Sequence, residues 1–406
     1  MFDGLANVPT KLNYFNRGAT FRIFPGLLDM RKIIAMIWVA FISLTAAAQI
    51  SHLKVPTDNP IQTSFDSLVH TSASRFMKDS ARVGISIGII KDGKQYYYNY
   101  GSTKKDGSET PTSSTVYELA SIGKTFSATL LARAVLDKKV KLNDDIRKYL
   151  KQDYPNLTYK NTPVTLLNLT NLTSALPNWM PDNKNLFNKV NPDSIPYLLD
   201  ALHQKYSREQ FYLDLHSVKP DTLPGSVARH CNTAAQLLGY IMEVVYEKPF
   251  DKLIREQFTD PLGMQSTSIL KKGKTPLKMA TGYDGKGRVM PYIDWDDLQV
   301  AAGIVSSTSD MLKYMAFQLD DKNKAVQLSH QPTFGKVDEG AIAFNWKVSK
   351  SPKGTTRISH TGGSLGFSTY MVFYPGRNTG IVLLSNEADQ QTQNELINLA
   401  NSILDL

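Results

Sequence analysis

Two stretches of two-residue periodicity stand at opposite ends of this sequence, with a long region of helical period between them. That arrangement restricts the fold more than any other feature. Near the start, Val83 to Ile90 alternates isoleucine with small residues, Asp92-Gly93 supplies a tight turn, and Gln95 to Tyr100 returns as a second strand. Near the end, Phe344 to Ser349, Thr355 to Ser359, Ser368 to Tyr374 and Gly380 to Leu384 again read as strands. Asn59 to Met77 and Glu387 to Leu404 carry apolar residues at helical spacing, and between the strands Ser121 to Val135 and Asn232 to Val245 are the cleanest helices. The expected architecture is α/β: an antiparallel sheet formed from N- and C-terminal segments, flanked by helices, with a large and mainly helical insertion. The sheet part would take about residues 59–105 and 335–406, and the helical part about 106–334, within one domain spanning 49–406.

The first 48 residues read differently. Met30-Arg31-Lys32 precedes an apolar run from Ile33 to Leu44, and Thr45-Ala46-Ala47-Ala48-Gln49 closes it with small residues. A positive start, a short apolar core and a small-residue end make a signal peptide, with cleavage after Ala48. The run is shorter than the roughly 20 residues that span a bilayer comfortably. Residues 1–29 are an unusual extension ahead of such a signal, and translation from Met30 would account for them. The expectation is an exported protein, periplasmic or secreted, that meets a membrane only through this segment.

Composition narrows the chemistry. The net charge of +9 is spread along the chain, with no basic block or aromatic-basic reading motif, so nucleic acid is not an expected partner. One cysteine, Cys231, excludes an intrachain disulfide, and the seven histidines are scattered without metal-ligand spacing. No cofactor is expected.

Ser121-Ile122-Gly123-Lys124 carries the strongest chemical signal. Three residues are just under one helical turn, so the hydroxyl and the amine share a face. A serine hydroxyl is a poor nucleophile until something accepts its proton. A desolvated lysine can have its pKa lowered far enough to share that work. The bland reading is a surface Ser and Lys, since S-x-x-K recurs by chance; the setting Tyr117-Glu-Leu-Ala-Ser-Ile-Gly-Lys-Thr-Phe126 argues against it.

In that setting the sequence resembles the serine beta-lactamase-like superfamily, and most of all class C beta-lactamases and their D-alanyl-D-alanine carboxypeptidase and esterase relatives. Pro224-Gly225, Asn232 and Leu237-Leu238-Gly239 are similar to its second-motif region. Ala301 to Asp310 is similar to its glycine-and-serine segment, and His360-Thr361-Gly362-Gly363 resembles its third motif. The resemblance implies Ser121 as acylated nucleophile, Lys124 as its proton partner, and Asn232 bonded to Lys124 or to a substrate amide. It further implies that His360, Thr361 and Gly362 line a cleft on the sheet's edge strand, with the N–H groups of Ser121 and Gly363 as oxyanion hole. The substrate would be a small molecule or a peptide, such as a peptidoglycan-derived one.

Three departures bear on function. The second motif, usually Tyr-x-Asn, reads His230-Cys231-Asn232. Imidazole can relay protons with an ordinary pKa of about 6.5, far below tyrosine's roughly 10. Two readings follow: His230 is a working substitute, or the site has decayed into a non-catalytic one that binds cell-wall peptides or serves as a scaffold. Leu172 and Ala175 stand where relatives usually carry His and Gly, which concerns loop packing more than chemistry. Third, His360 occupies a place where beta-lactamases usually have lysine, and neutral imidazole offers a carboxylate no permanent charge. That favours a carboxypeptidase or esterase over a dedicated beta-lactamase.

Competing signals have plainer explanations. Gly362-Gly363-Ser364-Leu365-Gly366 fits the nucleophile elbow G-x-S-x-G, but that motif needs a helix after it, and Thr369 to Tyr374 alternates as a strand. Cys231 and His230 are adjacent, so their side chains diverge in any regular structure. The acidic pairs Asp144-Asp145 and Asp296-Asp297 suit loop or helix-cap roles.

Overall fold

The computed structural model describes residues 55–183 and 190–404. The expected signal segment lies outside these residues. Among the described residues no helix is long and apolar enough to cross a membrane.

The sheet is built as the alternation requires. Its strands are β1 (Gly84–Lys91), β2 (Lys94–Gly101), β3 (Ala341–Ile342), β4 (Lys347–Lys350), β5 (Thr356–Gly363), β6 (Ser368–Tyr374) and β7 (Thr379–Ser385). They run in the order β2-β1-β7-β6-β5-β4-β3 with every neighbour antiparallel. The N-terminal hairpin thus joins the C-terminal meander through β1 and β7, with Ile87 opposite Leu383.

Each face packs against helices. Ile85, Ile87 and Ile89 project to one side, where α1 (Ser64–Phe76) and the closing helix α5 (Thr392–Leu404) supply Val69, Ala73, Leu396 and Leu399. On the other side Gly88 lets a third helix, α4 (Thr308–Gln318), approach so closely that a Cβ there would lie 3.1 Å from Leu312. Beyond α4 are two helices of the middle region, α2 (Lys124–Leu136) and α3 (Asn232–Tyr246). Both are buried along most of their length, which explains their largely apolar sequences.

Two helix starts differ from the periodicity. α1 begins at Ser64 rather than Asn59, because Thr63 and Asp66 form a reciprocal capping box. The Asn59 amide is drawn off to the Tyr100 hydroxyl at 2.7 Å and the Asp66 carbonyl at 2.9 Å. α5 begins at Thr392 rather than Glu387, because Glu387-Ala388 pairs with Tyr283-Asp284 and the Glu387 carboxylate is bound to buried Arg82.

The Thr170–Pro177 segment shows what the two replaced residues cost. Leu172 and Ala175 have φ of +65° and +58°, the left-handed region that glycine enters freely and other residues do not. Ala175→Gly should therefore stabilise the fold by about 1 kcal/mol, read as a higher denaturant midpoint. A lower midpoint would show that the surroundings hold this conformation without strain.

Candidate active site

Ser121 does not open the α-helix directly. It lies in a 3₁₀ turn, Ala120–Gly123, and α2 starts at Lys124. The tighter turn has a chemical consequence, because side chains at i and i+3 eclipse in a 3₁₀ helix. Lys124 Nζ accordingly reaches Ser121 Oγ at 2.6 Å. Ala120, immediately before the serine, is held at φ +48°, a strained conformation at the point where the chain turns from the short strand Tyr117–Glu118.

Lys124 is wholly buried, and its second partner is the Ala301 carbonyl at 2.9 Å. Burial drives its pKa from 10.5 to about 7, against a small opposing effect of Cys231. Near neutral pH a large share of this amine is therefore unprotonated and able to take a proton from the hydroxyl it touches. The expected bond from Asn232 to Lys124 is not among the bonds Nζ makes. Asn232 sits at the buried start of α3 instead, and its backbone N–H binds Asn178 Oδ1 at 3.0 Å.

Asn178 is a hub that the sequence did not reveal. Its Oδ1 meets His230 Nδ1 at 3.0 Å as well as the Asn232 N–H, and its carbonyl accepts from Thr233 N–H at 3.2 Å. Since Oδ1 can only accept, His230 carries its proton on Nδ1, and Nε2 is the basic nitrogen. His360 is held the same way, with Nδ1 2.6 Å from the Thr361 carbonyl. Desolvation, the Lys124 charge and His360 lower the His230 pKa to about 3, although more than a third of the residue meets solvent. For His360, burial and Lys124 lower it to about 4. Both rings are neutral at pH 7, and both feel the charge on Lys124. Together with Thr361 they border one cavity of about 430 Å³.

The 360–363 stretch is not on a true edge strand, since β5 lies between β4 and β6. It is an edge locally, because the β4 pairing ends at Ser359, opposite Lys347. From His360 onward β5 is paired only with β6, leaving one side open to the groove. Gly362 sets how close this strand comes to the serine turn: a Cβ there would lie 2.2 Å from the Leu119 carbonyl and 2.1 Å from Thr369 Oγ1. Thr369 Oγ1 also bonds the Leu119 carbonyl, at 3.0 Å. The third motif is thus pressed against the residue two before Ser121.

Glu118 lies buried three residues before Ser121. Its fully buried carboxyl accepts the Ile293 N–H at 2.5 Å, and burial lifts its pKa to about 7 despite a hydrogen bond from Ser364. Ser364 is not at a nucleophile elbow. Its N–H binds the Phe367 carbonyl at 2.9 Å in a tight turn, and strand β6 follows. Cys231 is buried and caps α3, with its sulfur accepting from the Ala234 N–H at 3.3 Å. Asp145 caps a short helix, as expected of it. Asp297, by contrast, forms a buried pair with His203 at 2.8 Å.

Comparison with known proteins agrees with this geometry. The family model described as Beta-lactamase matches residues 70–402. The D-alanyl-D-alanine-carboxypeptidase/endopeptidase AmpH of Escherichia coli is 26% identical over 336 residues, covering 77% of this chain and 82% of that protein. A beta-lactamase of Pseudomonas fluorescens is 25% identical, covering 79% of this chain and 93% of its own. In fold, the chain is similar to a beta-lactamase/D-alanine carboxypeptidase from Pseudomonas syringae, with a TM-score of 0.69 and 23% identity over 84% of this chain and 99% of that one. With a serine and a desolvated lysine in contact, and the third motif seated against their turn, this chain belongs to the beta-lactamase family, and it is a hydrolase of the beta-lactamase and D-alanine carboxypeptidase kind.

Proposed function

We propose that the protein is an exported serine hydrolase that works through an acyl-serine intermediate on peptides ending in D-amino acids, on esters or on beta-lactams. The observation that carries this reading is the 2.6 Å contact between Ser121 Oγ and a buried Lys124 amine with pKa about 7. Ser121 Oγ attacks the substrate carbonyl carbon while Lys124 Nζ takes the hydroxyl proton. The N–H groups of Ser121 and Gly363 hold the tetrahedral oxyanion, worth on the order of 3 kcal/mol per donor. The leaving group departs with a proton relayed from Lys124 through His230 Nε2, and water, deprotonated by the reverse path, hydrolyses the ester.

Asn232, His360, Thr361 and Gly362 bind and orient the substrate. His360, neutral at pH 7, gives a beta-lactam carboxylate no fixed charge, which favours peptidase or esterase work over dedicated beta-lactam destruction. The relative named as a D-alanyl-D-alanine carboxypeptidase supports a peptidoglycan-derived peptide as substrate. Export rests on the segment from Met30 to Ala48. A panel of D-Ala-D-Ala peptide, chromogenic beta-lactam and p-nitrophenyl ester tests the reading. Turnover of peptide or ester above that of the beta-lactam supports it, and no turnover of any counts against it.

A non-catalytic binder of cell-wall peptides is the second reading, and one observation favours it: His230 Nδ1 is committed to Asn178, not to Ser121 or Lys124. The two differ in the response to substitution. On the catalytic reading, His230→Gln lowers kcat by about 100-fold, the usual worth of a positioned proton donor. The acid limb of the rate profile stays near pH 7 in the variant, because activity needs neutral Lys124 and falls as pH drops through that value. Inert wild type with an active His230→Tyr variant would establish the binder instead.

A further inference from the structure

The groove continues past His360. The cavity of about 430 Å³ that His230, His360 and Thr361 border runs on along the sheet to Lys347 and Arg357. Alternation sends Arg357, Ser359 and Thr361 to one face of β5. The register places Ser349 opposite Arg357 and Lys347 opposite Ser359, so the two cations are diagonal neighbours on that face. Among the described residues no aspartate or glutamate lines the cavity.

Arg357, like the half-buried Arg133, is bonded to neutral acceptors rather than to a carboxylate. Its Nε donates to Ser349 Oγ at 3.2 Å and a terminal nitrogen to Asn401 Oδ1 at 3.3 Å, both neutral acceptors. Tyr370 and Tyr374 lie within its field, and they too are neutral at pH 7. Elsewhere Arg82, Arg147, Arg208 and Arg288 each hold a carboxylate. Among the described residues neither Arg357 nor Lys347 has an acidic partner. A half-buried guanidinium has a planar fork matched to carboxylate, and leaving it without an anion forfeits its strongest interaction.

We infer that this cavity is a carboxylate-binding subsite of the hydrolase, in which Arg357 and Lys347 receive an acidic group on the part of the substrate that extends past His360. The inference rests on the acyl-serine reading and deepens it. It supplies, within the same cavity but from the opposite face of β5, the fixed positive charge that neutral His360 lacks.

Two pairs of ester substrates test it on the full chain: one pair with a terminal carboxylate or its carboxamide isostere on the acyl group, the other with the same change on the leaving group. Wild type should prefer one carboxylate ester over its isostere by 10-fold or more in kcat/KM, mainly through KM, and the preference should shrink as salt is raised. Arg357→Gln should erase the preference and leave the neutral isostere within about twofold of wild type. Lys347 is exposed, so Lys347→Gln removes charge without disturbing packing, and it should lower the preference part of the way. No preference in either pair, or one that survives in the double variant, overturns the subsite. Fluorophosphonate labelling of wild type separates the causes: labelling without charge preference overturns the subsite alone, whereas no labelling and no turnover overturns the acyl-serine reading and the subsite with it.

Discussion

Ser121→Ala should lower ester hydrolysis by about four orders of magnitude or more, while the protein melts where wild type does. The hydroxyl is half-buried, and its described side-chain partner is Lys124, so its removal leaves no large cavity. What it removes is the hydroxyl proposed to form the acyl bond. Some acceleration over water would remain from the oxyanion donors and from substrate positioning. Stopped-flow release of p-nitrophenol checks this: the pre-steady-state burst of wild type should be absent. A variant keeping a tenth of the activity would place the nucleophile elsewhere.

Lys124→Met should slow acylation by about a thousand-fold, and it should not destabilise the fold at pH 6. Methionine roughly conserves volume, and it ends the cost of holding an ammonium group in a fully buried position. The direction with pH follows from the two pKa values, about 7 in the fold and 10.5 ordinarily. Between them the unfolded chain holds a proton that the folded chain has released, so stability contributed through this residue rises with pH across that window. It is fully present above 10.5 and is lost as pH falls through 7. The Met variant should therefore compare best with wild type at or below pH 7, and its advantage should shrink toward pH 10. Denaturant titrations of both proteins at pH 6 and 9.5 measure this. A difference independent of pH would show that the buried amine keeps its charge throughout.

How much of this was legible beforehand depended on whether a residue acts through its neighbours in sequence or through the backbone of a distant segment. The run Ser368–Tyr374 emerged with the bounds its alternation gives, and α3 emerged within one residue at its end, because pattern and burial agree there. Ser121 and Lys124 are neighbours on one turn, so their spacing was enough to pair them. The Ala301 carbonyl that anchors Lys124 is 177 residues away and belongs to the main chain, which spacing cannot single out. Asn178 escaped notice for a related reason: it organises His230 and Asn232 from a loop with no periodic signal. Asp297 looked like a loop acid, yet its partner His203 is 94 residues distant. The change from α-helix to 3₁₀ at Ser121 occurs where the fold packs closely, since a Cβ on Gly123 would lie 3.4 Å from Ile304.

The most direct test of the whole account is to trap the covalent intermediate on wild-type protein and find where it is attached. After brief exposure to a slowly released acylating probe such as a fluorescent penicillin, acid quench and peptide mapping should place one added acyl group on the peptide containing Ser121. A group found on Ser364 or Cys231, or none on folded protein, would contradict it.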